Sequence, residues 1–445
     1  MKALVIDGMG AAGFQLSLKL AQSGFDRVYY SNFFWSSIMH ETRYAAIGEG
    51  FEDIGIHKVT TGFEVIDKAD IIFIIEFLSD GKLSEAARKF KRKYRDNIVA
   101  AGPKGMLLET DRQFGMQIAK EAGFELPKYI IKNEIRNIKN KNNFPFVIKV
   151  DRFRDELETR LIAKKTDLDF LTKGTTPTPY PLKYYIMEYI KGLEFGVHFW
   201  FDGKRIWEPV VWTPELLSNS DNSAEEFYLL IGTIDVGENV LSKIKNLEKV
   251  LGEVGYIGPI DMNLIVTPDG KVYFLEFDAR ISVLFGFVYF HRADMLKIAE
   301  AQLSRKELFQ DWLLHASIGS SICMKEGSWA KMRIKKYFGA KNKSGGAYPV
   351  SPYKNKNNLY AVSRDPFKEL SLSVGVVGTG ENITTASQNL EKVIQNVKQE
   401  NCILPDVKSQ KDKIQYIVKS LIDFSKYNSF ELPKNWSGGF RKPEF

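Results

Sequence analysis

The chain has 445 residues, 44% of them apolar, with 62 Lys and Arg against 55 Asp and Glu, a net charge of +7. That length fits about two to four domains of roughly 150 residues each, and the apolar share is ample for packed cores. Two distant cysteines, Cys323 and Cys402, speak for a reducing compartment and against a structural zinc site. There is no signal-peptide pattern and no apolar run of membrane-span length, so a cytoplasmic protein that avoids membranes is expected. No internal repeat, coiled coil or nucleic-acid motif is present. Short basic runs (Lys91 to Lys93; Arg333, Lys335, Lys336) read as solvated faces, and a mildly basic chain suits anionic substrates such as nucleotides.

Lys2 to Asp7 has the pattern of a buried strand. Gly8-Met-Gly10-Ala-Ala-Gly13 and a helical stretch to about Ser23 follow. The glycine spacing is that of a dinucleotide-binding turn. The second strand, Arg27 to Tyr30, runs into Ser31 and Asn32 with no acid for a ribose, which speaks against NAD. Two readings stay open: a turn whose helix N-terminal amides meet a phosphate, or a tight strand-to-helix turn and nothing more. Asp70 to Phe77 is a strongly apolar strand ending at Glu76. A helix from about Lys82 to Tyr94 and a strand from Asn97 to Ala101 complete the pattern. Alternating strands and helices predict a parallel, Rossmann-like sheet whose functional groups gather at the strands' carboxyl ends. Glu76 and Gly102 to Gly105 sit at such ends, and the first domain is expected to end near residue 107.

A helix is predicted over Glu109 to Ala122, with Asp111 and Arg112 early and Gly123 as its stop. An Asn/Lys-rich loop from Lys139 to Asn143 leads into the strand Phe144 to Val150, where Lys149 stands among apolar neighbours. A lysine there is costly unless an anion pairs with it, so it reads as a phosphate ligand. Tyr184 to Leu193 and Glu194 to Gly203 read as a strand, a glycine-containing crossing and a second strand. Glu188 and Glu194 would bracket a flat ligand, and the main chain of Tyr189 and Ile190 would read an adenine edge. An ordinary hairpin with exposed glutamates is the alternative. Helices are expected near Glu238–Gly252 and Ala293–Ser304.

The richest stretch runs from Gly255 to Ser282. Two strand patterns flank Thr267-Pro-Asp-Gly270, a turn signal with a mechanism. Strand alternation puts Glu276, Asp278 and Arg280 on one face, and Asp261 with Asn263 on one face of the first strand. If Thr267 pairs with Gly270, Asp261 lies opposite Glu276; a bulge at Gly270 shifts that register by one. Three carboxylates this close repel unless something cationic sits among them. Hard oxygens in a small cluster suit Mg²⁺, and the arginine beside them suits a transferring phosphoryl group. A solvated hairpin face with alternating charges is the plainer reading.

Arg112, Lys149, Glu188-Tyr-Ile-Lys-Gly-Leu-Glu194, Asp261 and Glu276-Phe-Asp-Ala-Arg280 stand in the order and approximate spacing of the ATP-grasp ligases. Within them the whole chain resembles glycinamide ribonucleotide synthetase (phosphoribosylamine–glycine ligase). The start, Ala100-Ala-Gly-Pro103, the Glu109 helix and the closing unit from Leu370 to Ile394 share in the likeness. The resemblance implies an α/β (α+β) chain in four parts. A Rossmann-like domain spans 1–107 and an ATP-grasp domain 108–320, with a lid at about 128–186. A small C-terminal α+β domain covers 321–428, containing a Gly/Ser/Lys/Asn-rich connection at Lys341 to Asn358, and a tail occupies 429–445.

It further implies ATP with Mg²⁺ or Mn²⁺, small carboxylate and amine substrates, a place in purine biosynthesis, and a monomer or homodimer. Arg112 and Lys149 would hold the α- and β-phosphates, with Lys149 and Arg280 as catalytic groups. Glu188, Tyr189 and Ile190 would take adenine, and Glu194 the ribose. Asp261, Glu276 and Asp278 would bind the metal. Gly8, Gly10, Gly13 and Glu76 would line the substrate side.

Departures from the family are concentrated away from the nucleotide. The segment Asp151 to Arg160 lacks the lid glycines, and the first turn lacks the family's Arg-Glu-His. Ile281 to Phe287 is apolar, and Ser218 to Ser223 replaces a glycine-rich segment. Two alternatives therefore stand beside the glycinamide ribonucleotide reaction: a ligase that uses a different, nucleotide-like amine, and a non-catalytic ATP-binding relative.

Overall fold

A computed structural model describes residues 1–8, 12–32, 46–76, 81–91, 97–135, 138, 144–151, 159–174, 183–217, 226–230, 237–267, 269–281, 283–314, 316–325, 329–334, 336–362, 370–400, 402–404 and 419. Gly10, the loop from Lys139 to Asn143, the middle of the glycine-poor lid segment, Ser218 to Ser223 and the tail after Asn428 lie outside the described residues.

The first unit is a five-stranded parallel sheet. Its order is Ile56–Lys58, Arg27–Ser31, Lys2–Asp7, Ile71–Ile75, Ile98–Val99. Ala3 to Ile6 and Ile71 to Ile75 are all buried, as continuous apolar strands covered on both faces must be. The chain order reverses between Lys2–Asp7 and Ile71–Ile75, so the crevice of this sheet opens at Asp7 and Glu76. Helix Lys82–Phe90 covers the described part of the helix expected to Tyr94.

Two antiparallel sheets follow. The smaller has the order Tyr129–Lys132, Tyr184–Glu188, Phe146–Val150, Thr159–Ile162 and packs with helix Lys165–Gly174 around its own core, which includes Phe146, Ile148, Ile162 and Leu168. The larger sheet is nine-stranded. Its main path is Val272–Asp278, Gly258–Val266, Leu193–Phe201, Ile206–Leu217, Glu226–Leu230, Ala316–Lys325, Leu370–Gly380, Gly345–Pro349. Strand Ala316–Lys325 runs through the boundary expected at residue 320. It pairs with Glu226–Leu230 on one side and Leu370–Gly380 on the other, so one sheet joins the two units. A second four-stranded sheet, Pro352–Asn355, Asn358–Val362, Trp329–Ile334, Val397–Gln399, lies beyond it.

Several sequence expectations are corrected. Strands Tyr184–Glu188 and Leu193–Phe201 belong to different sheets; the glycine-containing link crosses between them, and the hairpin alternative falls. The helix expected from Glu109 to Ala122 is two, Leu107–Thr110 and Arg112–Glu121, broken at Asp111. Asp111 is extended, and its carboxylate accepts the Phe114 amide at 3.0 Å, the preference of an N-cap acid. The helix expected near Glu238–Gly252 likewise divides, into Gly237–Lys245 and Leu247–Glu253. Lys341 to Asn358 is not merely a connection, since it contributes the Gly345–Pro349 and Pro352–Asn355 strands.

The closing unit, strand Leu370–Gly380 and helix Ile383–Asn396, forms as expected, with Asn382 accepting the Thr385 amide at 2.9 Å. A Cβ at Gly378 would collide with the helix backbone at Ala386 and Leu390. Among the described residues no helix is long and apolar enough to cross a membrane.

Candidate active site

The two hairpin strands align Asp261 with Asp278 and Asn263 with Glu276, because the ladder shifts between Asn263 and Leu264. The register that sets Asp261 opposite Glu276 is therefore corrected. Gly270 donates to the Thr267 carbonyl, and Thr267 pairs with Lys271, which moves the register by one residue; the bulge moves it by one more. The shared face survives both shifts, since side chains two apart stay together.

Cations from distant elements close on this face. Glu276 Oε2 accepts from Lys149 Nζ at 2.9 Å and from Arg112 Nη1 at 3.1 Å. Lys149 comes from the small sheet and Arg112 from the first turn of its helix, where Arg112 Nε also donates to the Val150 carbonyl at 3.0 Å. Burial pushes the Glu276 carboxyl up, but Lys149 and then Arg112 outweigh it and hold the group well below the usual carboxylate range.

Beside this cluster, Arg280 Nη2 lies 2.9 Å from Glu109 Oε1 and 3.1 Å from Asp278 Oδ1. Glu109 Oε1 also accepts from Arg280 Nε at 3.1 Å, and Oε2 accepts the Ala279 amide at 2.9 Å. Burial acts to lower the guanidinium, but Asp278 and Glu109 raise it further from neutrality. Burial pushes Glu109 up to about 8 against the pull of Arg280, with Asp278 adding to the rise. Asp278 is raised by the same burial. One cation thus serves two half-buried carboxylates.

Asp261 is buried beside His198, directly across the strand pair, with His198 Nδ1 3.0 Å from Asp261 Oδ1. Burial holds the imidazole well below its ordinary value. Half-buried Glu194 is raised by burial, opposed by Lys149 and helped by Glu276, which places it in the same electrostatic neighbourhood.

Glu188 is the last residue of an inner strand of the small sheet. Its Oε1 accepts the Lys128 amide at 2.9 Å and its own amide donates to the Lys128 carbonyl. Tyr189 is exposed and Ile190 half-buried on the crossing between sheets. The structure thus brings Arg112, Lys149, Glu194, Asp261, Glu276, Asp278 and Arg280 together, and leaves Glu188 at the end of its strand with Tyr189 and Ile190 on the crossing between the two sheets.

The parallel-sheet residues form a different group. Gly13 donates its amide to Asp7 Oδ2 at 3.1 Å, and a Cβ at Gly13 would collide with Asp7. A carboxylate thus already holds an amide at the helix N-terminus that the phosphate reading needs. Glu76 accepts the Leu83 and Ser84 amides, each at 3.1 Å, so it caps helix Lys82–Phe90. Gly8 packs against Leu83. A narrow apolar cavity separates this group from the charged face; Phe73, Val99, Trp200 and Ile281 line it, with Glu76 and Arg280 in its wall.

Sequence reasoning passed over Glu109 and His198. Glu109 has no local signal, because its partner is 171 residues away. His198 carried one: it shares the strand alternation of Glu194 in an otherwise apolar run.

The donor set fits a hard cation. Among the described residues no three acidic, His or Cys side chains converge on one metal position. Glu276 and Asp278 share a face, however, and Asn263 Oδ1, opposite Glu276, is buried without a hydrogen-bond partner among the described residues. A partial oxygen shell of this kind suits Mg²⁺, which takes phosphate oxygens and water as its remaining ligands.

No protein-family model and no curated sequence matches the chain. Solved structures do. Phosphoribosylamine–glycine ligase from Thermotoga maritima superposes with a TM-score of 0.67 at 12% identity, over 91% of this chain and 99% of that one. The L-amino acid ligase from Bacillus licheniformis gives 0.55 at 12%, over 91% and 99%. The biotin carboxylase domain of Hydrogenobacter thermophilus 2-oxoglutarate carboxylase, in complex with MgADP, ADP and bicarbonate, gives 0.59 at 13%, over 90% and 91%.

Proposed function

Starting from the ATP-grasp fold that the chain shares with these structures, we propose that it is an ADP-forming ligase that joins a carboxylate to an amine. The observation that carries this reading is Glu276 held by Lys149 and Arg112 beside the Asp278–Arg280 pair. Two buried cations meet on one carboxylate that an arriving polyphosphate can relieve of them.

Arg112 and Lys149 neutralise the phosphates, Glu194 takes the ribose, and Glu188 with the Tyr189–Ile190 main chain takes the adenine. Glu276 and Asp278, with Asn263 opposite Glu276, would hold Mg²⁺, which when bound neutralises phosphate charge during transfer. The substrate carboxylate attacks the γ-phosphorus, an acyl-phosphate forms and ADP leaves. The amine then attacks the acyl carbon, losing its proton, and phosphate departs. Arg280 faces the negative charge that develops in both steps. No covalent protein nucleophile is needed; positioning and charge neutralisation do the work.

The finer reading is the glycinamide ribonucleotide reaction, from phosphoribosylamine and glycine, in the purine route. A different amine is the second reading. It is favoured by Asp7 and Glu76, which place negative charge where a phosphorylated acceptor would approach, and by the apolar cavity between them and Arg280. ADP release from Mg-ATP, with glycine and with or without fresh phosphoribosylamine, tests both. Release that needs both, with the product mass of glycinamide ribonucleotide, supports the first. Silence in that assay with turnover in an amine screen supports the second. ATP binding without turnover in either overturns the ligase reading.

A further inference from the structure

We propose that the apolar cavity beside Arg280 holds the carbon chain of the amine substrate, and that this chain is aliphatic and short, with no sugar or phosphate on it. The inference rests on the ligase reading above and develops its second form.

The cavity lies between the parallel sheet and the rest of the chain. Phe73, Ile75 and Val99 line it from the sheet, and Trp200, Ile281 and Met295 line it from elements far along the sequence. Surface of this kind takes apolar groups and offers nothing to a hydroxyl or a phosphate.

The polar side chains in the wall are already engaged within the chain. Trp200 Nε1 donates to Gln302 Oε1 at 3.1 Å, and the Tyr256 hydroxyl donates to the Pro259 carbonyl. Glu76 accepts the Leu83 and Ser84 amides. Arg280 is held by Glu109 and Asp278. A sugar phosphate seated here gives up its water for no new partner, and the Glu76 carboxylate repels it further. An alkyl chain gives up nothing and gains about fourfold in affinity per buried methylene.

Size narrows the class. The free volume is about 30 Å³. On that measure one water-sized sphere takes ~10–15 Å³, and a cavity that binds benzene measures ~150 Å³. There is room for a chain of about two to three carbons and none for a phosphoribosyl ring. With the chain seated, the nitrogen belongs at the Arg280 wall, next to the acyl carbon that it attacks in the proposed reaction.

The test is calorimetry on the full chain with Mg-ADP, using the n-alkylamines from methylamine to pentylamine and, separately, ribose 5-phosphate. Affinity should rise about fourfold per carbon as far as propylamine and fall again by pentylamine, and ribose 5-phosphate should not bind. Val99→Leu puts one more carbon into the cavity. It should weaken propylamine ~10- to 20-fold, the worth of two methylenes, and leave methylamine and ADP unchanged. Leu16→Phe, from the helix that lines another wall, should do the same and serves if Val99→Leu does not fold. Phe73→Leu widens the cavity and should move the optimum to a longer amine.

A flat alkylamine series, or ribose 5-phosphate binding that Val99→Leu weakens, would overturn the inference. So would a Val99→Leu variant that gains stability and binds every amine as wild type does, because the cavity is then only a gap in packing. The ADP-release screen separates the inference from its premise. If amines support turnover and the alkyl series is flat, the inference alone falls. If propylamine binds as expected and no amine supports turnover, the ligase reading falls and takes the substrate role of the cavity with it.

Discussion

The charged hairpin face and the carboxyl ends of the parallel strands look onto one cavity and treat their carboxylates in opposite ways. Asp7 and Glu76 are satisfied close by in sequence, through helix amides six to eight residues away. Glu276 and Glu109 are satisfied by side chains 127, 164 and 171 residues away. A carboxylate that caps a neighbouring helix stabilises the fold and has little reason to let go. A carboxylate that gathers cations from two separate elements gives them up when a stronger polyanion arrives, which is what a nucleotide cleft requires. Charge by itself does not mark a site. The distance from which the counter-charge is drawn separates the two regions.

The comparison breaks most easily at Glu276. Glu276→Ala should abolish ADP release and lower unfolding stability by about 3–5 kcal/mol, since two buried cations lose their anion. Denaturant titration beside the turnover assay reads both, and unchanged turnover would sink the assignment. Arg280→Met should lower kcat by ~10²–10³-fold with little change in KM for ATP, as for a group that meets charge developing in the transition state. A rise in KM alone would make Arg280 a nucleotide ligand instead.

Glu109→Gln keeps one acceptor but turns the other oxygen into a donor, so it cannot serve both Arg280 and the Ala279 amide, and kcat should fall ~10- to 100-fold, the cost of a misplaced reacting group. If only stability changes, Glu109 belongs with the capping carboxylates of the parallel sheet.

His291 supplies a buried titratable group remote from both regions. Burial, then Lys19 and Arg292, lower its pKa to about 3. Above pH 6.5 the imidazole is neutral folded and unfolded, and contributes nothing to the pH dependence. Below that the unfolded chain takes a proton that the folded chain refuses until about pH 3. Stability should therefore fall as pH drops through this window, by about 1.4 kcal/mol per unit. His291→Gln should flatten that slope in a pH series of denaturant midpoints.

Glu76→Gln should show the smallest effect, a loss of about 0.5–1 kcal/mol from a weakened helix cap, with KM for ATP and amine unchanged. A raised KM for the amine would return Glu76 to the substrate side, where sequence reasoning placed it.

Periodicity alone made much of the architecture legible. Alternation in the strand put Glu276, Asp278 and Arg280 on one face whatever the register, because a side-chain period of two survives any shift that moves the partner strand. Lys149 among valines and isoleucines announced a need for an anion, and Gly192 within the crossing marked where the chain changes sheets.

The tertiary structure decided the partners. No local rule says that Arg112 and Lys149 meet on the same oxygen, that Glu109 reaches across to Arg280, or that His198 lies beside Asp261. Each contact joins segments that are brought together only when separate elements pack. The register fell between the two levels: Gly270 signalled one shift, and the bulge after Asn263 added a second that the turn residues do not encode. The glycine turn shows the same division. Its spacing allowed an anion at the helix N-terminus, and packing supplied one from within the chain, Asp7.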